Sequence, residues 1–173
     1  MDKSKQMEEL INNLGDKLWT FCIRLTYDKL EAEDLYQDTI LKALELKDKI
    51  DFDKNPAAFI YSLAVSINNN RLRKIFRRRG IAPIIHFDLD FIKDSKTDVE
   101  YEALGDERRS DIDIALNSLN KNQKAIILMF YMESMSIKDI SKYLNIPEGT
   151  VKSNLSIGRK KLKKELEGKG YGE

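Results

Sequence analysis

The sequence contains very little cysteine or histidine. Its 173 residues include one of each, Cys22 and His86. A single cysteine excludes an intramolecular disulfide, and the two residues together cannot build the common zinc sites. No carboxylate stands beside histidine, serine or cysteine in a pattern that indicates an active site, and there is no glycine-rich phosphate loop. The sequence therefore predicts a protein without metal or cofactor that is not an enzyme.

Glycine, proline and long apolar runs are also scarce. Eight Gly and three Pro are few for this length, which argues against a turn-rich sandwich or barrel. No apolar run approaches the roughly 18–20 residues of a membrane span, and residues 1–6 lack the hydrophobic segment of a signal peptide. With 42% hydrophobic and 34% charged residues, the composition predicts a cytoplasmic, mostly helical protein.

The charge is nearly balanced overall but unevenly distributed. The net charge is +1, yet residues 71–79 read RLRKIFRRR and residues 159–164 read RKKLKK, whereas residues 85–110 are acidic. Two basic segments separated by an acidic one predict two contacts with a polyanion such as DNA and a spacer between them.

Hydrophobic spacing predicts an all-α fold of two small helical domains. Apolar residues recur every three or four positions through residues 7–25, 32–44 and 56–79, and Asn55 with Pro56 is a favourable helix start. We therefore expect a three- to four-helix bundle in residues 1–82. Residues 83–109 show no clean period and are interpreted as an acidic, flexible linker, although residues 86–91 alternate like a short strand. Helical spacing resumes at Ser110, and residues 110–173 form the second domain.

Residues 136–162 have the pattern of a helix-turn-helix. A short helix ends at Leu144, Asn145 to Pro147 break it, and a longer helix follows with Gly158 at a position that favours close packing. In such a motif the second helix enters the major groove and its N-terminal side chains face the base edges. An ordinary helical hairpin with a solvated polar face remains the alternative. The candidate base-reading residues are Glu148, Thr150, Lys152, Ser153 and Ser156, and Arg159 and Lys160 are candidates for phosphate contact.

Two motifs in the right order carry a family resemblance. Residues 137–153, IKDISKYLNIPEGTVKS, resemble the promoter-reading helix-turn-helix of bacterial sigma factors of the extracytoplasmic-function (ECF) group. Residues 30–43, LEAEDLYQDTILKA, resemble the AEDLxQ motif of the same family's N-terminal domain, and residues 55–79 resemble its next helix. The resemblance implies a sigma factor that directs RNA polymerase to promoters and melts them. The implied partners are the β′ clamp helices and the β flap of core polymerase, promoter DNA and an anti-sigma factor.

The resemblance also assigns roles to residues of the N-terminal domain. The AEDLxQ helix of the family binds the clamp helices, which implies this role for Asp34, Gln37 and Asp38. The loop from Lys49 to Asn55 and the helix after it correspond to the part that melts the minus-ten element. Trapping an extruded base requires a pocket with stacking groups and cations. The candidates are Phe52, Asn68, Asn69, Asn70, Arg73, Lys74 and Arg77, and Arg71 belongs to the same basic run.

Two other functions are alternatives to a sigma factor. A stand-alone helix-turn-helix regulator would need no clamp-binding motif and usually dimerises. A helical interaction protein without a DNA role conflicts with the GTVKS helix and with both basic runs.

Overall fold

The structure is a computed structural model that describes residues 2–78 and 107–171. Within these ranges every regular element is helical, and the helices form two compact units, which confirms the expected fold class. Neither range contains a helix that is both long enough and apolar enough to cross a membrane. Several sequence predictions lie outside the described residues. They are the linker as far as residue 106, with His86 and the possible strand at 86–91, and the predicted helix stop at Gly80 and Pro83.

The N-terminal unit consists of three helices and a short 3₁₀ turn. They are α1 (Lys3–Thr26), α2 (Lys29–Glu45), the 3₁₀ turn (Lys47–Lys49) and α3 (Pro56–Arg78). Asn55 caps α3 as the sequence predicts, since its Oδ1 accepts the backbone N–H of Ala58 at 3.1 Å. Asp28, which was not predicted, caps α2 in the same way. The apolar stripes meet between the helices, where the rings of Phe21 and Tyr61 lie 5.0 Å apart between centroids.

Cys22 lies inside this core, as its place on the apolar stripe predicts. Its side chain is fully buried, and this burial raises the pKa of the thiol to about 12, with Arg71 opposing the shift weakly. A thiol with so high a pKa is protonated at neutral pH and is therefore a packing group.

The C-terminal unit contains four helices. They are α4 (Glu107–Asn117), α5 (Lys121–Ile127), α6 (Ile137–Leu144) and α7 (Glu148–Glu167), and a π-helical turn (Leu128–Met132) extends α5. A full capping box starts α5, in which Asn120 and Gln123 each accept the other's backbone N–H. Of the three methionines that the sequence predicts as core residues, Met129 and Met135 are buried and Met132 is half-buried. The helix α4 begins three residues before the expected Ser110.

The apolar spacing at the start of this unit predicts Ile112, Ala115, Leu116 and Leu119 inside, and all of them except Ile112 are buried. Ile112 was expected inside but is 44% exposed, whereas the neighbouring Asp113 is buried. The reason is a buried polar cluster: Lys124 is buried on α5, Asp113 attracts its charge, and Lys124 Nζ donates to Asn117 Oδ1 at 2.9 Å. Because successive helical residues point about 100° apart, burying Asp113 turns Ile112 outward.

Candidate polymerase and nucleic-acid interfaces

The outward face of α2 carries polar and apolar residues in one stripe. Asp34, Gln37 and Asp38 are all exposed. Leu30, Leu41 and Leu44 are 74%, 59% and 42% exposed, and they lie on the same side because steps of three and four residues return to one helix face. We call residues 30, 34, 37, 38, 41 and 44 the α2 stripe. Leu44 was expected in the core, and this expectation is wrong; Leu30 and Leu41 were missed by the sequence reasoning.

An ion pair links this part of α2 to α3. The Arg71 guanidinium donates to Asp38 Oδ2 and, at 3.4 Å, to the backbone carbonyl of Glu31. Arg71 is 29% exposed and Asp38 53% exposed. Burial and the neighbouring Asp28 raise the pKa of Glu31, and Arg71 opposes this rise. Arg71, counted in the sequence among the DNA-facing cations, is thus directed toward α2.

The loop before α3 lines a surface pocket of about 350 Å³. Phe52 is half-buried in this loop, and Lys3 and Gln6 of α1 also line the pocket, a contribution that no sequence pattern predicts. Two hydrogen bonds tie the N-terminus of α1 to the 3₁₀ turn: Lys3 Nζ donates to the Asp48 carbonyl at 2.7 Å, and Lys47 Nζ donates to Ser4 Oγ at 2.8 Å. The complete lining is Lys3, Gln6, Lys49, Ile50, Asp51, Phe52 and Asp53.

Hydrogen bonds within the loop hold its shape. Asp51 accepts the backbone N–H of Asp53 at 3.1 Å, and Lys54 Nζ lies 3.2 Å from the Asp51 carboxylate. These bonds, the one from Lys54 first, lower the pKa of Asp51. The loop therefore keeps a polar rim around an aromatic side chain, an arrangement suited to holding a flat, polar ring.

The three consecutive asparagines of α3 differ in exposure. Asn68 is buried at 8% exposure, Asn69 is half-buried and Asn70 is exposed. The side chain of Asn68 is therefore enclosed in the bundle, and the expectation that it offers its amide to DNA does not fit its position. Beyond it, the cations Arg73, Lys74 and Arg77 are exposed along the last turns of α3.

The turn between α6 and α7 has the tight geometry of a helix-turn-helix. Ser136 caps α6 by accepting the backbone N–H of Asp139 at 3.0 Å. Asn145 ends α6 in the left-handed conformation at φ 55°, which asparagine tolerates better than most residues. Ser141 Oγ then donates to the Ile146 carbonyl at 2.6 Å, and Pro147 leads directly into α7.

The side chains of α7 are either buried against the unit or exposed, and one exposed hydroxyl bonds to the helix's own backbone. Val151, Leu155 and Gly158 are buried, and Gly158 packs on Ile127, which confirms the expected close approach. The Ser153 hydroxyl donates back to the carbonyls of Gly149 and Thr150, at 3.0 and 3.2 Å. Thr150 is half-buried, and the exposed candidates are Glu148, Lys152, Ser153, Ser156, Arg159 and Lys160.

Arg159 is exposed but held by aromatic side chains of the π-helical turn. Its guanidinium carbon lies 5.5 Å from the ring centroids of both Phe130 and Tyr131, and its Nε donates to the Tyr131 hydroxyl. Tyr131 is 55% exposed, contrary to its expected place on the apolar face. The contact fixes the position of Arg159 beside Lys160 on α7.

Metal binding finds no support in the described parts of the chain. No group of three or more histidine, cysteine, aspartate or glutamate side chains there is arranged to hold an ion.

Comparison with protein families gives two matches, one in each unit. Residues 10–79 match Sigma-70 region 2, and residues 109–162 match Sigma-70 region 4. The first match spans α1 to α3 with the α2 stripe and the pocket loop, and the second contains α6 and most of α7.

Individual proteins resemble the chain over most of its length. The ECF RNA polymerase sigma factor SigL of Mycobacterium tuberculosis is 30% identical over 162 residues, which cover 93% of this chain and 89% of SigL. SigW of Bacillus subtilis, also an ECF sigma factor, is 24% identical over 91% of this chain and 87% of its own. Among solved structures, the sigma factor RpoE of Bartonella quintana, in complex with the anti-sigma factor NepR, shares the fold with a TM-score of 0.77. The two chains are 24% identical, and the match covers 94% of this chain and 98% of RpoE. The chain belongs to the ECF RNA polymerase sigma factors, which direct RNA polymerase to promoters.

Proposed function

We propose that the chain recruits core RNA polymerase through the α2 stripe. Asp34, Gln37 and Asp38 supply acidic and amide groups suited to a basic helical partner, the β′ clamp helices that the family resemblance implies. Leu30 and Leu41 add apolar area at the edges of that polar patch. Exposed leucines in line with charged residues give a docking helix both hydrophobic energy and orientation. The single observation that carries this assignment is the joint exposure of these side chains on one helix face.

The pocket loop is proposed to capture an extruded base of the minus-ten element. Phe52 offers a ring for stacking, and the polar rim offers hydrogen-bonding groups for a base edge. Asn69 and Asn70 together with Arg73, Lys74 and Arg77 then hold the displaced strand. Because Asn68 is buried, its role in this proposal is to support the helix.

The helix α7 is proposed to read the minus-thirty-five element. The exposed Lys152, Ser153 and Ser156 lie in its first half, which a helix-turn-helix directs into the major groove. Glu148 and Thr150 stand at its entry. Arg159 and Lys160 follow farther along, where cations contact the phosphate backbone.

Domain limits and further partners complete the proposal. We infer that residues 1–82 act as the polymerase-binding and melting domain, residues 83–109 as the linker, and residues 110–173 as the upstream-reading domain, which also contacts the β flap. The two family matches at 10–79 and 109–162 support this division. We further infer that the chain catalyses no reaction and works in the cytoplasm. An anti-sigma factor is a proposed partner because the solved RpoE structure contains the anti-sigma factor NepR. A second similar structure, CnrH, was solved in complex with the cytosolic domain of CnrY, at a TM-score of 0.64 and 16% identity.

Reconstituted transcription tests the polymerase assignment. Core polymerase with this protein should start transcription on a cognate promoter, which a stand-alone regulator cannot do. The variant Asp34→Ala/Gln37→Ala/Leu41→Ser should bind core polymerase at least about tenfold more weakly, because the few residues that contribute most of an interface's energy cluster near its centre. A matched control is Glu8→Ala/Glu9→Ala on the exposed surface of α1. Equal affinity of the α2 variant and the wild type would place the polymerase contact elsewhere.

A further inference from the structure

The ion pair between Arg71 and Asp38 joins two helices to which the proposed function gives different partners. Asp38 belongs to the acidic group proposed for polymerase, and Arg71 lies on α3 among cations proposed for DNA. In the structure each of these charges is engaged by the other. Neither charge is therefore fully available to an outside partner while the pair is closed.

The position of Arg71 on α3 shows what its release would add. Residues 71, 74 and 78 lie three and four positions apart and therefore share one side of the helix. Lys74 and Arg78 are exposed, whereas Arg71 is turned toward α2 by Asp38 and by the carbonyl of Glu31. A released Arg71 would extend this row of cations by one helical turn toward the three asparagines.

The exposure of the pair makes it exchangeable. Asp38 is half exposed, and an ion pair in contact with water contributes little net stability. A cation from a partner can therefore replace Arg71 at the Asp38 carboxylate without disrupting the bundle. Lys47 and Lys54 of the same unit do not serve as the replacing cation, because Lys47 donates to Ser4 and Lys54 pairs with Asp51.

We propose that Arg71 and Asp38 form a latch that withholds one DNA-binding cation from the unbound protein. When a basic surface of RNA polymerase takes Asp38, Arg71 is released and adds a phosphate contact. Polymerase binding and DNA binding then favour each other, because each removes one member of the same pair. The release by polymerase rests on the proposed function; the withholding of Arg71 in the unbound protein does not.

The withholding is tested on the full chain without polymerase. Fluorescence anisotropy measures its affinity for a fluorescein-labelled duplex of arbitrary sequence across a salt series. Asp38→Asn should raise the affinity about fivefold at about 0.1 M salt, the most that an exposed ion pair can withhold, and should steepen the slope of log K against log salt by up to about 0.9, the contribution of one phosphate contact. The matched control Glu33→Gln removes the same charge from an exposed position on α2 and should raise the affinity by about twofold or less, because screened distant charges act weakly.

The latch requires that Arg71 provides the higher DNA affinity of Asp38→Asn. Adding Arg71→Gln to Asp38→Asn should remove it, whereas Arg71→Gln in the wild-type background should lower the affinity much less. The exchanged pair Asp38→Arg/Arg71→Asp keeps the net charge and should bind DNA about as the wild type does. A gain that persists without Arg71, or equal affinities of wild type and Asp38→Asn, would overturn the latch.

The release is tested separately with core polymerase. In the polymerase complex, Arg71→Gln should weaken DNA binding as strongly as Arg73→Gln does, although it has little effect on the unbound protein. An Arg71→Gln effect that is equally small in both states would overturn the release and leave the withholding intact. Transcription by the wild-type complex reports on the proposed function itself. A failure of the latch is therefore distinguished from a failure of the proposed function.

Discussion

Gly158 of α7 lies so close to Ile127 of α5 that a Cβ atom on the glycine would stand 3.0 Å from Ile127 Cγ1 and 3.1 Å from its Cδ1. Ile127 is buried and has little room to move. The contact therefore sets how closely α7 can approach α5, and the glycine that allows it costs about 1 kcal/mol of helix propensity.

The first prediction concerns this contact. Gly158→Ala should lower the free energy of unfolding by about 1 kcal/mol, because overpacking costs about 1–3 kcal/mol and outweighs the gain in propensity. Urea unfolding followed by circular dichroism measures it. Gly149→Ala is the control, since nothing lies within 4 Å of a Cβ there, and it should not destabilise. Adding Ile127→Val, which removes the Cδ1 methyl, should recover part of the loss; no recovery would show that the strain lies elsewhere.

The second prediction concerns the pH dependence of the C-terminal unit. Burial lowers the pKa of Lys124 from 10.5 to about 8, and Asp113 opposes this shift. Between about pH 8 and 10.5 the unfolded chain therefore binds a proton that the folded chain has released, so the free energy of unfolding rises with pH in that window, by up to about 3 kcal/mol. Urea titrations across the window should show this rise in the wild type and a smaller one in Lys124→Met. Parallel curves would contradict the assignment.

The third prediction separates the two buried charges. Lys124→Met should destabilise by about 3–5 kcal/mol, because it leaves the carboxylate of Asp113 in the core without its attracting cation. The double variant Asp113→Asn/Lys124→Met should be more stable than Lys124→Met alone. The thermal midpoints of the wild type, Asp113→Asn, Lys124→Met and the double variant decide the matter: if the costs of the two single changes simply add, Asp113 and Lys124 do not interact.

The fourth prediction concerns melting by the pocket loop. Phe52→Ala should reduce open complex, detected by permanganate reactivity of unpaired thymines, and leave closed complex nearly intact, because a pocket favours an extruded base whereas cations favour any DNA. A promoter with a pre-melted bubble should restore much of the transcription. Gln6→Ala, on the α1 wall of the pocket, should show the same defect in weaker form. An equal defect on the bubble would mean that Phe52 supports the fold or the polymerase contact.

The fifth prediction divides the cations of α7. Lys152→Ala should relax selectivity for the upstream element, since a base contact contributes about 1–3 kcal/mol to discrimination. Lys160→Ala should weaken binding to all duplexes alike and reduce the salt slope by about 1. Both side chains are exposed, so neither change should alter the fold. Binding to cognate and scrambled duplexes tests this; a uniform loss from both variants would exclude base reading at the start of α7.

The sequence predicts those features that depend on neighbours along the chain. Helical periods, the caps at Asn55 and Ser136, and the exposure of Asp34, Gln37 and Asp38 follow from local spacing and are found in the structure. The errors arise from contacts between helices. Asp113 is buried because Lys124 of another helix attracts it, and Arg71 is directed toward α2 because Asp38 accepts its hydrogen bond. A single sequence contains no signal for such partners.

The exposed leucines of the α2 stripe have a consequence for the life of the protein in a cell. Apolar area in water costs about 25 cal/mol per Å², and exposed apolar patches are sites of association. If polymerase covers these leucines as proposed, a chain without polymerase leaves them exposed to self-association and chaperone binding. Synthesis beyond the supply of partners should then shorten the lifetime of the surplus chains, so that the number of binding partners sets a ceiling on the amount of this factor that persists.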